Sequence, residues 1–235
     1  MQEVITVPRY RVQYSKKGPA CYISHLDLLR SFERAGRRAG LPLAFTQGFN
    51  PHPKISFAAP LSVGMSGEAE YADLELTVAM PASEVFQKFS GALPEGLRLI
   101  EVRPVPDHSP ALMARVDRAT YRAKAKLSRP FDQKKLDDAI ASFLARPEIW
   151  VERKNKAGEK KKHDIRSGIF AMSGKFENDI IIIEAELKAG SDGNVRFEEM
   201  LEAFQENSRL PVCEKFVLSR TGIYASRGQE KEPLW

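Results

Sequence analysis

The chain has 235 residues, 43% of them hydrophobic and 29% charged, with a formal net charge of +5 and a pI near 9.1. That length supports one large domain or two small ones, each with its own core, and the composition is that of a globular chain rather than a disordered one. The modest positive balance favours anionic partners. No uninterrupted apolar run approaches the roughly 18 residues needed to span a bilayer, and IIIIEAEL (Ile180 to Leu187) is far too short and reads as a buried strand. The start, MQEVITVPRYRV, has no apolar h-region or cleavage site, so a cytoplasmic protein with no membrane partner is expected. Cys21 and Cys213 alone supply neither an iron–sulfur ligand set nor a four-ligand zinc site, and a disulfide does not suit such a chain.

In chain order, RYRVQYS (Arg9 to Ser15) alternates as a strand does. Ser24 with Asp27 three positions on has the form of a capping box and predicts a helix over 24–40. Leu28, Leu29, Phe32, Ala35, Gly36 and Ala39 fall on one face of that helix, and Arg30, Arg34, Arg37 and Arg38 on the other. Only Glu33 and Asp27 offset those four guanidiniums, so the outer face reads as a surface that meets an anion. Leu43–Phe45 and Lys54–Ala58 are strand-like pieces flanking GFNPHPK (Gly48 to Lys54), a loop whose two prolines hold the backbone extended around His52. Tyr71–Val78 alternates cleanly, Ala82–Leu93 has helical spacing, and Leu97–Val102 reads as a strand.

The order then recurs, with a strand over Thr120–Leu127, a helix over Asp132–Ala145, strands over Ile149–Lys154 and Asp179–Leu187, a helix over Arg196–Gln205 and a strand over Cys213–Ser219 with an extension over Ile223–Tyr224. Two βαββαβ runs of about a hundred residues each predict an α+β protein made of two tandem ferredoxin-like units with antiparallel sheets. The expected domains are residues 1–106 and 119–235, joined by a linker over 107–118. Lys154, Lys156, Lys160, Lys161 and Lys162 mark a basic hairpin tip or loop, either a solvated turn or an arm that grasps phosphate on contact.

Candidate catalytic fragments are loose. No Gly-rich phosphate loop, HExxH or GxSxG is present. Ser24, His25 and Asp27 carry triad letters, but at a helix start they read as cap, exposed ring and first-turn acid. His25, His52 and Cys21 have no spacing that fixes a metal geometry. His52, held between Pro51 and Pro53, is the one weak catalytic candidate, and a general base there needs an orienting partner. Glu68, Glu70, Asp73 and Glu75 read as the wet side of a sheet. The basic residues are more coherent. Arg11, Lys16 and Lys17 on or after the first strand, the helix arginines and Lys54 come from neighbouring elements, with Tyr14, Tyr22 or Phe49 as stacking rings.

RYRVQYSKKGPACYISHLDLLRSFERAGRRAGLP, then GFNPHPKISFAAPLSVG, then YADLEL, resembles the radical SAM-linked protein family, bacterial domains fused to or encoded beside a radical S-adenosylmethionine enzyme. The resemblance covers about the first hundred residues and, beyond them, only the general layout. It implies a radical SAM enzyme as partner, with S-adenosylmethionine and an iron–sulfur cluster on that partner. The three-cysteine cluster motif is absent here, so the chain is the companion and binds no cofactor itself. The resemblance brings no catalytic residues and makes the basic helix and GFNPHPK loop the functional surface. The leading expectation is therefore a non-catalytic accessory protein that presents RNA to the radical enzyme. Its binding residues would be Lys16, Arg30, Arg34, Arg37, Arg38, Phe49, Asn50, His52 and Lys54, with Lys160, Lys161 and Lys162 from the second half. The alternatives are an adaptor that docks on the radical enzyme without nucleic acid, and an RNA-processing or modifying enzyme that uses His52.

Overall fold

A computed structural model describes residues 7–154, 158–208, 210–212, 214–227 and 230–235. In chain order the elements are β1 (Arg9–Lys16), α1 (His25–Arg38), β2 (Ile55–Phe57), β3 (Ser66–Glu75), α2 (Ala82–Ser90) and β4 (Leu97–Val105). There follow β5 (Arg118–Lys126), α3 (Gln133–Leu144), β6 (Trp150–Lys154), β7 (Lys160–Asp164), β8 (Ile169–Glu177), β9 (Ile180–Lys188), α4 (Phe197–Ser208), β10 (Val217–Arg227) and β11 (Glu230–Pro233).

The expected pair of antiparallel ferredoxin-like units is not what forms. Nine strands make one mixed sheet of order β4-β1-β3-β10-β5-β9-β8, with β2 added on β3 and β11 on β10, and β6–β7 is a separate two-stranded ribbon. The cause lies in β10. Sequence places the last strand over Cys213–Ser219 with an extension over Ile223–Tyr224, whereas one continuous strand runs from Val217 to Arg227 and has a neighbour on each side, so it closes no sheet edge. The chain divides into two compact units, Met1–Val116 with Gly222–Trp235, and Asp117–Thr221. Among the described residues no helix is long and apolar enough to cross a membrane.

In the first unit the predicted apolar face of α1 is the buried one. Leu28, Phe32 and Ala35 pack with Tyr10, Val12, Tyr14, Leu74 and Phe89. The Phe32 ring makes edge contacts with Tyr14 at 5.0 Å, Phe57 at 5.1 Å and Phe89 at 5.4 Å. Burying one such ring contributes roughly 1.5–3 kcal/mol. Ser24 caps the helix, its Oγ accepting the Asp27 N–H at 3.1 Å. The far end closes in a Schellman turn. Gly40 takes φ +63°, while the Leu41 N–H donates to Gly36 O and the Gly40 N–H to Arg37 O.

Four charged residues expected at the surface, Arg11, Lys16, Glu70 and Asp73, are internal. Arg11 on β1 and Asp73 on β3 are partners across the ladder, and Arg11 also donates to the Leu234 carbonyl. The Arg115 Nη1 reaches the Leu234 and Trp235 carbonyls at 3.0 and 2.9 Å. Trp235 lies under the Arg103 guanidinium, 4.3 Å from the ring centre, and edge-on to Tyr71. Asp73 is thus no wet-face carboxylate, because the segment after β11 covers that side of the sheet.

In the second unit Asp132 caps α3, accepting the Lys135 N–H at 3.0 Å. Tyr121 of β5 stacks on Phe197 of α4, and Phe143 of α3 meets Phe204 edge-on. The Lys-rich stretch expected as a hairpin tip or loop is the β6–β7 ribbon on either side of residues 155–157. Lys156 lies outside the described residues.

Candidate nucleic-acid interface

The outer face of α1 holds its arginines in different states. Arg30 pairs with Asp27 at 3.2 Å and Arg37 with Glu33 at 2.7 Å, each about one turn away. Arg38 donates to the Ala92 carbonyl at 2.6 Å. Arg34 is exposed and makes no hydrogen bond or ion pair with any described residue. The Ser24 hydroxyl, followed by the Arg30 guanidinium, holds the Asp27 carboxyl below the usual carboxylate range. Exposed pairs of this kind contribute little to stability, so an incoming phosphate exchanges for the helix carboxylate at small cost.

The loop after α1 is a short hairpin locked at its neck. The Thr46 N–H donates to His52 O at 2.8 Å, and the His52 N–H returns to Thr46 Oγ1 at 3.0 Å. Below this pair Phe45 bridges Pro53, and the Lys54 N–H donates to Ala44 O. Leu43 bridges Leu76, and the Ala44 N–H reaches Glu75 O, which fastens the hairpin base to β3. Of the two strand-like pieces expected here, only Ile55–Phe57 is a regular strand. Gly48 takes φ +124° at the tip, a conformation that side-chain-bearing residues rarely adopt. Phe49 beside it is wholly exposed, and Asn50, Pro51 and His52 are exposed as well. The His52 ring has no hydrogen-bond partner among the described residues. Arg37 sits over the Phe45 ring, 5.6 Å from its centre, which joins the C-terminal half of α1 to the hairpin neck.

The remaining predicted residues divide. Lys54 pairs with Glu75 at 2.9 Å and is partly buried. Lys16 is only 2% exposed and donates to Ile23 O at 3.3 Å, so it does not join the surface. Tyr14 is core, whereas Tyr22 is exposed. Lys160, Lys161 and Lys162 lie on β7 of the second unit, with Lys160 paired to Glu152 at 2.8 Å. Cys21 is buried, which pushes its thiol pKa up, and Cys213 lies outside the described residues. Among the described residues no group of three or more His, Cys, Asp or Glu is placed to hold a metal ion.

Sequence reasoning passed over the exposed Leu26 and Val63, which accompany Tyr22. The Gly64 N–H donates to Cys21 O, which brings the Val63 loop beside Tyr22. Leu26 had a readable signal, since it lies opposite the Leu28–Phe32 face of its helix.

Residues 9–197 match DUF2344, a family described as an uncharacterized protein conserved in bacteria. The chain belongs to DUF2344. No curated protein matches it. Among solved structures, this DUF2344 chain is similar to one from the crystal structure of a Cbf5-Nop10-Gar1 complex, with a TM-score of 0.52 and 11% identity. The match covers 90% of this chain and 48% of the other, so it spans about half the length of that relative, and the likeness is one of fold alone. Two more are an unknown protein from Galdieria sulphuraria (TM-score 0.26, 12% identity, 90% and 99% of the two chains) and a putative glycine cleavage system transcriptional repressor (TM-score 0.25, 9% identity, 92% and 99%). At those scores neither bears on fold or function.

Proposed function

We propose that this DUF2344 chain is a non-catalytic accessory protein that binds single-stranded RNA and presents it to a radical S-adenosylmethionine enzyme. Phe49 carries the proposal. Its ring stands fully in solvent on a hairpin tip whose neck is closed by reciprocal Thr46–His52 hydrogen bonds. A ring presented in this way offers a free stacking face, and a base placed on it gains about 1–3 kcal/mol. Arg34 supplies a guanidinium with no partner among the described residues on the adjoining helix, and Arg37 and Arg38 follow it one turn on. Because Lys16, Lys54 and Arg11 are committed internally, binding rests more on stacking than on a dense phosphate grip. The radical enzyme as partner is supported by the resemblance of SHLDLLR, GFNPHPK and the segments around them.

Titration of single-stranded RNA against wild type and Phe49→Ala tests this. The substitution is expected to weaken binding about five-fold or more with an unchanged melting temperature. Equal affinity of the two proteins overturns it. The exposed Tyr22, Leu26 and Val63 favour a second role for the same unit, docking on the partner enzyme.

A further inference from the structure

We propose that one face of the β6–β7 ribbon is a second single-stranded RNA site, with Trp150 as its stacking platform and Lys162, Lys154 and Lys160 as its phosphate contacts. This rests on the assignment of the chain as an RNA-binding protein and adds a site on the second unit.

The register decides which side chains share a face. Trp150 pairs with Asp164, Glu152 with Lys162, and Lys154 with Lys160. Side chains alternate along a strand, so these six lie on one face, and Val151, Arg153, Lys161 and His163 on the other. The second face anchors the ribbon. Val151 is buried, and Arg153 reaches the Glu199 carboxylate of α4 at 2.8 Å and the Asn194 carbonyl at 3.0 Å. The first face stays open. Trp150 is 54% exposed although it sits at the base of the ribbon beside the buried Ile149 and Ile165.

The open face carries three lysines against two carboxylates and so keeps a small positive excess. Asp164 stays charged but is turned to the backbone at the base rung, accepting the Ile149 and Arg166 N–H groups at 2.8 and 3.0 Å, and Glu148 accepts the Trp150 Nε1–H at 3.0 Å. Glu152 accepts Lys160 at 2.8 Å in a fully exposed pair that a phosphate exchanges at little cost. Successive rungs on one face are spaced by about 7 Å. The open face is therefore a ring at the base followed by ammonium groups at regular steps toward the tip. That order suits a strand whose base stacks while its backbone tracks along the ribbon.

The test is binding of an oligouridylate to the full chain across a salt series, for wild type, Trp150→Ala, Trp150→Phe, Lys154→Gln/Lys162→Gln and Phe49→Ala. Trp150→Ala is expected to lower affinity about five- to a hundred-fold, and Trp150→Phe, which keeps a ring, to restore most of it. The double lysine variant is expected to flatten the slope of log affinity against log salt by about 1.4. If Phe49→Ala weakens binding while the ribbon variants keep wild-type affinity and slope, the ribbon site is wrong and the first-unit interface stands. If the wild type does not bind oligouridylate at low salt, both fall. Trp150-dependent binding to phosphatidylserine vesicles without RNA binding also overturns the ribbon site.

Discussion

Arg11 and Asp73 face each other across β1 and β3 through two N–H···O bonds of 2.7 and 2.8 Å, with both side chains only 2% exposed. Removing one partner from such a pair strands a charge in the core. Asp73→Ala is expected to cost about 3–5 kcal/mol, read as a lowered urea midpoint. Replacing both partners with apolar residues, Arg11→Met with Asp73→Leu, should recover a large part of that loss. A single substitution that leaves the midpoint in place contradicts the prediction.

Tyr71 gives a stability change in alkali. Burial pushes its phenol up to about 12, opposed in part by the Gln13 amide that donates to its oxygen at 2.7 Å. An unfolded chain releases that proton near pH 10, so the folded state holds it longer. The linked stabilisation is full below about pH 10 and disappears as pH rises through about 12. Phenolate absorbance of wild type minus Tyr71→Phe should show one group titrating near the upper value, and the variant should lose less stability over that window. A difference curve centred near 10 is the contrary result.

Arg34 and Arg30 should behave differently although both are exposed arginines of α1. Arg34 has no intramolecular partner among the described residues, and Arg30 has Asp27. With single-stranded RNA, Arg34→Gln is expected to flatten the salt slope by about 0.7, the value for one phosphate contact. Arg30→Gln should change it by less. Equal slopes for wild type and Arg34→Gln remove Arg34 from the interface.

Gly96 holds φ +84°, and its carbonyl accepts the Lys17 N–H at 2.8 Å. A Cβ there would meet the Lys17 carbonyl oxygen well inside van der Waals contact, and the Ala20 side chain too. Gly96→Ala is therefore expected to cost more than the roughly 1 kcal/mol of left-handed strain alone. Thermal unfolding checks it, and an unchanged melting temperature refutes it.

Local physics was readable where it dominates. Ser24 and Asp132 cap the helices they were expected to start, and the alternation in β1 and β3 and the apolar run of β9 mark real strands. Long-range pairing was not readable. Arg11 shares its parity with Gln13 and looks solvent-facing until the segment around Leu234 covers it. Strand β8 lacks clean alternation because Gly174 stands where a side chain would collide with Leu136 and Ile140 of α3. The expectation of two separate sheets failed on β10, which reads as the last strand of the second half with Ile223–Tyr224 as its extension, and instead forms one strand with neighbours on both sides. Of the proposed site, the helix arginines and the Phe49 loop were visible in advance. Which cations were already engaged was not, since Glu75, Ala92 and Ile23 lie far from their partners or carry no charge pattern.

The first unit draws its last pieces, Gly222–Trp235, from beyond the whole of the second. During synthesis the ribosome therefore releases its closing strands only after every residue of the other unit has emerged. Until then β3 has only β1 and the short β2 beside it, and the part of its edge that β2 does not cover stands unpaired in the nascent chain.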